Sequence, residues 1–397
     1  MRILAFLAVV LLSLNARAET IRIAFIDPLS GPAAAVTQNG LNHFRFMAER
    51  LSNAQRQFEV TGYDNRLSPQ ETLIQAQKAI DAGIRVLAQG NGSSAAAALA
   101  DFVVKHNERD PARRVIYLNY AAIDPVLTNE KCSNAHFRFD AHADMKMLAL
   151  AKFIATQTQI KKVYLINQDY SFGQAVRAAA LQMLKAERPD IGIVGDELHQ
   201  LAKITDFSPY VAKIKASGAD SVITGNWGSD LALLLKSAAE ASLQAGWYTY
   251  YASGIGSPTA VRQTGLAHRV FAVIEGHANL AMTDRIEDEY RAKFGGGFNV
   301  PRIRLLMEML ADAAAKTGSG DPAKLAPAMA GAERQTMYGA KAVMRAADHQ
   351  VLQDLYVASF GPLDATMAYD EEKTGWGWKT AGMVKAADTA LPTTCKM

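Results

Sequence analysis

Short apolar runs typical of β-strands alternate with amphipathic helical stretches along this chain, and the alternation restarts after Asp140. Periodicity and turn residues predict strands at 21–26, 58–63, 84–88, 115–119, 162–166, 191–194, 220–224, 247–251 and 356–360. Helices are predicted at 40–53, 69–82, 95–106, 145–156, 173–185, 207–216, 231–241, 302–316 and 322–330. Strands that alternate with helices imply parallel strands joined by right-handed crossovers, so the sequence predicts an α/β fold.

The length and composition of the chain allow two lobes. Its 397 residues are 49% hydrophobic, which is enough for a sizeable core in each half. No long Gly/Ser-rich or Pro-rich tract separates the halves. We therefore expect two α/β lobes joined by short segments, rather than two domains on a flexible linker.

The first 18 residues have the layout of an export signal. Arg2 is followed by the apolar stretch 3–14, and Ala16-Arg17-Ala18 has the A-x-A form of a cleavage site. The stretch is too short to span a bilayer as a helix, which needs about 20 residues. No cysteine directly follows it, which argues against a lipid-anchored start. We expect cleavage after Ala18 and a soluble protein in the periplasm.

The charge of the chain argues against several kinds of partner. The formal net charge is +3, and loss of Arg2 and Arg17 with the signal would leave +1. So small a charge gives no electrostatic basis for binding nucleic acid or an anionic membrane. The sequence has no second long apolar stretch, so insertion into a membrane is not expected either.

Cys132 and Cys395 are the two cysteines of the chain. In an oxidising compartment an even count favours a disulfide, which here would attach the C-terminal tail to the middle of the chain. Two free, buried thiols are the alternative. Neither cysteine has a CxxC or histidine partner, and Asp140, His142 and Asp144 are interpreted as polar residues around a crossover. We therefore expect no metal site and no cofactor.

The loop at 89–94 follows a predicted strand, and open α/β sheets bind ligands beyond the carboxyl ends of their strands. It combines two glycines, two hydroxyls and the start of a helix, a combination that favours an anion. The alternative is that Ser93 or Ser94 only caps the helix. The loop is not a phosphate loop, because the motif GxxxxGK[ST] is absent.

Aromatic residues occupy similar loops in both halves, namely Tyr120, Tyr170, Phe172 and Trp227. Aromatic side chains usually belong to a core. Within Gly/Ser/Asn-rich loops at strand ends, however, they favour a small-molecule pocket. We therefore expect these four side chains to face one cleft between the lobes.

Seven segments, taken in order, resemble the periplasmic solute-binding proteins of the branched-chain amino acid type, which serve ABC importers. Together they extend over essentially the whole chain after the signal. The segments are Ile21-Arg22-Ile23-Ala24-Phe25 with Leu29-Ser30-Gly31-Pro32, Gly92-Ser93-Ser94, Ala122-Ile123-Asp124-Pro125, Asp169-Tyr170-Ser171-Phe172-Gly173, Asp206-Phe207-Ser208-Pro209 and Asp348-His349-Gln350.

This resemblance implies the type I periplasmic binding fold. That fold has two Rossmann-like lobes with central parallel sheets flanked by helices, joined by three hinge crossovers and closing on a ligand. One lobe would comprise residues 19–139 plus 277–347, and the other residues 140–276 plus 348–390. Residues 391–397 would form a C-terminal tail.

The resemblance also implies roles for particular residues. The carboxylate-binding serine of the family corresponds to Ser93, and main-chain N–H groups near Ala122 add to that site. Two aromatic pocket positions correspond to Phe172 and Trp227. These assignments place the carboxylate of a ligand beside the helix that follows the 89–94 loop.

The chain departs from the family pattern at several positions. The family's threonine after the alanine is Ile123 here, which removes a hydroxyl. The acid that meets a ligand ammonium in leucine-binding relatives falls near Gly254, and two pocket aromatics fall near Arg304 and Val36. A buried ammonium without a carboxylate partner is unfavourable, so the ligand need not be an amino acid such as leucine.

Other residues offer alternatives for the two charges of an amino acid. Asp230 or Glu308 would be substitutes for the missing acid, and Arg302 or Arg304 would pair with a ligand carboxylate. Arg304 and Glu308 would otherwise form an ordinary i,i+4 surface pair. We expect a carboxylate-bearing ligand, either a branched-chain or other amino acid or an aromatic or other organic acid.

The expected function is capture of this ligand by a monomer and its delivery to the permease subunits of an ABC importer. A periplasmic sensor that presents the same ligand to a signalling partner is the alternative. An exported hydrolase is disfavoured, because the sequence contains neither HExxH nor a nucleophile elbow.

Overall fold

The computed structural model describes residues 18–397. The predicted export signal occupies residues 1–18, so all of it except Ala18 lies outside the described residues. Among residues 18–397, no helix combines the length and the apolar character that crossing a membrane requires.

The first sheet has five parallel strands in the order β2-β1-β3-β4-β5. The strands are β1 (Glu19–Asp27), β2 (Arg56–Asp64), β3 (Val86–Gln89), β4 (Ile116–Asn119) and β5 (His136–Arg138). Helices α1 (Ala34–Leu51), α2 (Pro69–Asp81) and α3 (Ser93–Arg109) connect the first four. Every side chain of β3 and β4 is buried, as expected for parallel strands whose two faces are both covered by helices.

The second sheet has seven strands in the order β15-β14-β10-β9-β8-β6-β7. Its parallel strands are β6 (Lys162–Gln168), β7 (Gly192–His199), β8 (Ser221–Thr224), β9 (Gly246–Thr249) and β10 (Val270–Ile274). The flanking helices are α4 (Ala143–Ala155), α5 (Ser171–Glu187), α6 (Ser208–Ser217), α7 (Gly228–Glu240) and α8 (Ser257–Thr264).

The edge of the second sheet differs from the predicted all-parallel arrangement. Strand β14 (Leu355–Pro362) runs antiparallel to β10 and to β15 (Trp376–Val384), which the sequence did not predict as a strand. No helix lies between β14 and β15, and two consecutive strands without a crossover helix pair antiparallel.

Between β10 and β14 the chain returns to the first sheet. It forms α9 (Ile286–Phe294), α10 (Pro301–Thr317), α11 (Pro322–Met329) and a small antiparallel sheet of β11 (Glu333–Gln335), β12 (Lys341–Met344) and β13 (Val351–Leu352). Ile303 and Leu306 of α10 share one core with Phe44 and Met47 of α1. The short helix α12 (Ala386–Thr389) follows β15. The predicted architecture of two α/β lobes is confirmed.

The chain passes between the two sheets three times, after β5, after β10 and between β13 and β14. The first and third crossovers lie side by side, because the Arg138 N–H donates to the His349 carbonyl at 2.9 Å. The Gln350 amide also donates to the Asp140 carbonyl at 2.9 Å. The lobe boundaries given above stay a prediction, and Val351, which they assign to the second lobe, packs in the core that surrounds α1.

Cys132 and Cys395 form a disulfide with their Cα atoms 5.7 Å apart, within the usual range. Two further contacts hold the same tail, since Arg345 donates to the Leu391 carbonyl at 2.7 Å and Thr393 to the Thr128 carbonyl at 2.8 Å. The tail therefore lies against the first lobe.

Candidate functional site

A cavity lies between the lobes, where the loops that end the strands of both sheets meet. It leaves about 70 Å³ for the centres of water-sized molecules. This is well above the space that a single water needs and is room for a small organic molecule. Its lining comes from the loops after β3, β4, β6, β8 and β9, from α1, from α4 and from the start of α10.

Most of the candidate residues taken from the sequence line this cavity. They are Ser93, Tyr120, Ala122, Ile123, Tyr170, Phe172, Trp227 and Gly254, together with Val36 and Arg302. Ser94 and Arg304 do not line it. The cavity thus brings together loops from both lobes that are far apart in the sequence.

Ser93 is the first residue of α3 and is only 2% exposed. Gly92 precedes it with φ of +89°, a left-handed conformation that glycine adopts without strain. The Ser93 hydroxyl accepts a hydrogen bond from the Asp124 N–H at 3.3 Å, and its own hydrogen remains to be donated. A hydroxyl beside the positive end of a helix suits a carboxylate.

The resemblance implies main-chain donors near Ala122, and two N–H groups there differ in whether the protein engages them. The Ala122 N–H donates to the side-chain oxygen of Asn119 at 2.8 Å and is therefore engaged within the protein. Among the hydrogen bonds of residues 18–397, none uses the N–H of the neighbouring Ile123. Of these two N–H groups, that of Ile123 is the one without a partner within residues 18–397, and Ile123 lines the cavity.

Asp27, at the end of β1, supports the Ser93 loop from behind. Its carboxylate accepts hydrogen bonds from the Asn91 N–H at 2.9 Å, the Asn91 side chain at 3.2 Å and the Tyr120 hydroxyl at 2.5 Å. Burial raises the pKa of Asp27 to about 7, although Tyr120 and Asn91 act to lower it. The Tyr120 hydroxyl is thus engaged by the protein, and a Cβ at Gly90 would lie 2.7 Å from the Tyr120 ring.

Aromatic side chains form the wall on the side of the second lobe. The Trp227 indole N–H donates to the Tyr170 hydroxyl at 2.9 Å, and the Tyr170 and Phe172 rings meet edge to face at 5.8 Å. Phe172 also meets Tyr250 and Tyr251 edge to face, each at 5.9 Å. These contacts fix the rings around an apolar space, and the Trp227 N–H finds its acceptor within the wall.

Four charged side chains, three of them buried and that of Arg302 nearly so, lie at the floor of the cavity, next to two of the crossovers. Lys146 of α4 contacts Asp140 at 2.8 Å and Glu275 at 3.2 Å. Arg302 of α10 contacts Glu275 at 2.9 Å and Asp140 at 3.4 Å, and donates to the Tyr120 carbonyl at 2.5 Å. We refer to Asp140, Lys146, Glu275 and Arg302 as the floor quartet.

Within the floor quartet the two cations face the cavity and the two acids lie behind them. Of residues 18–397, Lys146 and Arg302 are the charged ones that line the cavity. Burial and the neighbouring Glu275 raise the pKa of Asp140, against the attraction of Arg302. Burial also acts to raise the pKa of Glu275, but Lys146 and Arg302 outweigh it and the pKa falls below its ordinary value. The cavity therefore presents positive charge to a ligand.

Arg304 lies outside the cavity, which corrects its placement among the binding residues. It pairs with Asp284 at 2.9 Å and with Glu308 at 2.9 Å, and Arg334 completes the cluster by binding Glu308. The expected i,i+4 pair of Arg304 and Glu308 is present, but it is buried rather than on the surface.

Two other sequence candidates also lie away from the cavity. The Asp230 carboxylate accepts hydrogen bonds from the Gln168 side chain at 2.8 Å and the Ala202 N–H at 2.9 Å. The Ser94 hydroxyl lies 3.3 Å from that of Ser171, across the cleft between α3 and α5. Neither Asp230 nor Glu308 can meet a ligand ammonium in the cavity, and Ser94 contacts the opposite lobe instead.

Sequence reasoning missed Asp27, Lys146, Tyr250, Tyr251 and Glu275. Asp140 was noticed, but as one of three alternating polar residues, with no partner assigned. His142 caps α4 by accepting from the Met145 N–H. In the part of the chain described here, no group of three or more His, Cys, Asp or Glu side chains is placed to hold a metal ion.

Comparison with known proteins agrees with this architecture. Residues 20–362 match the family model described as periplasmic binding protein. A Brucella abortus protein named Leu/Ile/Val-binding protein homolog 4 is 33% identical over 273 residues. That match covers 66% of this chain and 62% of the relative, less than two thirds of the relative's length.

Solved structures extend the comparison to nearly the whole chain. The leucine-, isoleucine-, valine-, threonine- and alanine-binding protein from Brucella ovis, in its closed conformation, is 27% identical with a TM-score of 0.82 and covers 96% of this chain and 99% of that one. A solute-binding protein from R. palustris in complex with 4-hydroxybenzoate is 19% identical with a TM-score of 0.76, covering 92% and 97%. The second likeness supports the fold alone. The chain belongs to the periplasmic binding protein family, with the type I fold of the branched-chain amino acid type.

Proposed function

We propose that this protein is an extracytoplasmic solute-binding protein that captures a small carboxylate and delivers it to an ABC importer. The ligand is an aromatic or branched organic acid, or an amino acid of similar size. The protein closes on the ligand and releases it unchanged, as a binding protein rather than an enzyme. Residues 1–18 direct its export to the periplasm, and it works as a monomer with the permease subunits.

The observation that carries the proposal is the charge around the cavity. Its charged lining residues, Lys146 and Arg302, are both cations, and no acid among residues 18–397 lines it. Ser93 and the positive end of α3 add donors for an anion. A buried ammonium would have no carboxylate to meet there, and such a charge is costly to bury unpaired. An organic acid therefore fits the cavity better than a zwitterion.

The walls and the size of the cavity favour an apolar body for the ligand. Tyr170, Phe172 and Trp227 present ring surfaces, and stacking on such surfaces contributes about 0.5–1.5 kcal/mol beyond the burial of area. Gly254 adds no charge, and Val36 is small where the family resemblance implies an aromatic side chain. The size of the cavity suits a ligand such as an amino acid or a single aromatic ring.

A thermal-shift panel tests the ligand class. It compares leucine, isoleucine and phenylalanine with their deaminated acids, and the acids are expected to stabilise the protein at least as well as leucine. Stabilisation by the α-amino acids alone would contradict the preference for organic acids. It would also mean that an aspartate or glutamate side chain that does not line the cavity in this structure turns towards the ligand.

Small-angle scattering tests the binding mode with whichever acid stabilises the protein most. The radius of gyration is expected to fall on saturation, because closure brings the lobes together, and the acid is expected to be recovered unchanged by mass spectrometry. An unchanged radius at saturation would contradict closure, and a chemical product would contradict a binding role.

A further inference from the structure

A second, smaller cavity lies behind the binding cavity, where α9 and the segment between α9 and α10 face the crossover after β10 and strand β15. We call it the rear cavity, and it is defined by Glu371, His277, Trp378, Glu287 and Phe298. It leaves about 10 Å³ for the centre of a water-sized molecule. That is about the space of one water, one hydroxyl or one ammonium group.

The rear cavity adjoins the binding cavity. Ser253, Ile274 and Asn299 line both of them, so these three residues form the boundary between the two spaces. Neither Ser93 nor Ile123 lines the rear cavity. A ligand whose carboxylate lies at Ser93 would therefore approach the rear cavity with its opposite end.

The polar side chains of the rear cavity include several without a partner. Glu371 is 5% exposed, and no hydrogen bond or ion pair within residues 18–397 involves its carboxyl group. The same part of the chain offers no partner to His277 Nδ1 or to Trp378 Nε1, which are both buried. A buried nitrogen without a partner is costly, and the carboxyl oxygens of Glu371, which are not fully enclosed, are open to a donor from the cavity.

Glu371 differs in this respect from the other acid of the cavity. Glu287 is bound by Arg291 at 2.5 Å and accepts from the Phe298 N–H at 3.0 Å, so its two oxygens are satisfied. Burial raises the pKa of Glu371 to about 8, and the negative Glu287 adds to that rise against the attraction of Arg291. The carboxyl group of Glu371 accepts a hydrogen bond in either protonation state, and a neighbouring ammonium group would hold it ionised.

We propose that the rear cavity is a subsite for a hydrogen-bond donor on the ligand, a hydroxyl or an ammonium group, and that Glu371 accepts this bond. The donor is carried at the end of the ligand opposite to its carboxylate. This inference rests on the proposed function, because the carboxylate end orients the ligand. It makes Glu371 a specificity-determining residue that separates substituted acids from their unsubstituted parents.

The test compares matched ligands by calorimetry. Benzoate and 3-phenylpropanoate are the parents, and each is compared with its para-hydroxyl and its para-aminomethyl derivative. Wild-type protein is expected to bind one class of derivative at least tenfold more tightly than the parent. In Glu371→Met, which has no acceptor, that advantage is expected to fall below threefold while affinity for the parent stays unchanged.

Further variants identify the donor and control for folding. Glu371→Gln keeps a neutral acceptor, so a hydroxyl derivative is expected to keep its advantage in this variant and an ammonium derivative to lose it. Glu187→Met, on the exposed face of α5, is the matched control and is expected to leave every affinity unchanged. Thermal unfolding is expected to show Glu371→Met at least as stable as wild type, because an unpartnered polar group is replaced by an apolar one.

The outcomes separate this inference from the proposed function. Suppose that the parents bind. The rear subsite is then overturned if wild type binds neither derivative more tightly than the parent, and also if Glu371→Met keeps the advantage of the derivative or weakens parent and derivative alike. In each of these cases the proposed function stands. If no carboxylate binds, both are overturned. If Glu371→Met fails to fold, wild type alone still tests the subsite. Equal affinities of wild type for a parent and for both of its derivatives would overturn it.

Discussion

Arg302 of α10 donates from Nη1 to Oε2 of Glu275, the residue directly after β10, at 2.9 Å. Arg302 belongs to the lobe of the first sheet, whereas Glu275 belongs to a crossover between the lobes. Asp140, on another crossover, lies 3.4 Å from Arg302 and 2.8 Å from Lys146. Two members of the floor quartet, Asp140 and Glu275, thus lie on crossovers between the lobes, and the two cations that line the cavity bind them from α4 and α10. A ligand anion that contacts Lys146 or Arg302 would therefore touch side chains that are bonded to two of the crossovers.

The Ser93 hydroxyl is expected to bind the ligand carboxylate. A hydrogen bond to a charged group contributes about 1.5–3 kcal/mol, so Ser93→Ala should weaken binding roughly tenfold to a hundredfold in calorimetry. Ser94→Ala is the matched control, because that hydroxyl contacts Ser171 and does not line the cavity. An unchanged affinity in Ser93→Ala, or equal losses in both variants, would contradict a role of the Ser93 hydroxyl in binding the carboxylate.

Removing one cation from the floor quartet should destabilise the protein strongly. Lys146 is 1% exposed, so Lys146→Met leaves two buried acids with one cation and is expected to lower the free energy of unfolding by about 3–5 kcal/mol. The double variant Lys146→Met/Glu275→Gln restores the charge balance and should recover at least half of the loss. Urea denaturation measures both.

The matched control for Lys146 is a lysine in an exposed ion pair. Lys236 lies 3.9 Å from Glu240 with both side chains largely exposed, so Lys236→Met should change the free energy of unfolding by about 0–1 kcal/mol. Equal effects of Lys146→Met and Lys236→Met would show that burial adds nothing to the contribution of the floor quartet.

Asp27 should make stability depend on pH. Its pKa is raised by burial from 3.8 to about 7, so its protonation favours the folded state. That contribution is complete below about pH 4 and is lost as the pH rises through about 7. Asp27→Asn does not titrate, so its destabilisation relative to wild type should shrink between pH 5 and pH 8, by at most about 1.4 kcal/mol per pH unit. Urea denaturation at four pH values measures this, and a pH-independent difference would contradict it.

The bond between Cys132 and Cys395 should be present in exported protein. Unfolded protein alkylated without reductant is expected to gain no alkyl groups by intact mass, whereas a gain of two would mean free thiols. Because the bond closes a loop of 263 residues, replacing both cysteines with serine should lower the free energy of unfolding by about 2–5 kcal/mol.

Much of the fold follows from local sequence patterns. Apolar runs, helical periodicity and signals such as Ser68 before Pro69 depend on residues close together in the chain, and the structure has helix α2 starting at Pro69 with Ser68 as its cap. The position of Ser93 follows from the same kind of information, because a loop between a strand and a helix lies at the carboxyl end of a sheet. Strand β15 was not predicted from the sequence. It forms by pairing with β14 at the edge of the second sheet, and that edge exists only once the other strands are in place.

Arg302 and Arg304 show what local information leaves undecided. Two positions along a helix differ by about 200° around its axis, so when one of these residues faces the cavity the other faces away. The sequence offered both as partners of a carboxylate. Packing of α10 against α1 decided between them, because that contact fixes which face of α10 turns towards the crossovers.

The sequence by itself therefore determined the alternation of strands and helices, the two-lobed α/β class and the loops that carry Ser93, Phe172 and Trp227. The tertiary structure decided the charge of the site. Tyr120 donates to Asp27 across 93 residues, and Lys146 pairs with Glu275 across 129. Such pairs form only after the order of strands in each sheet and the path of the crossovers are set, and no pattern of neighbouring residues contains that order.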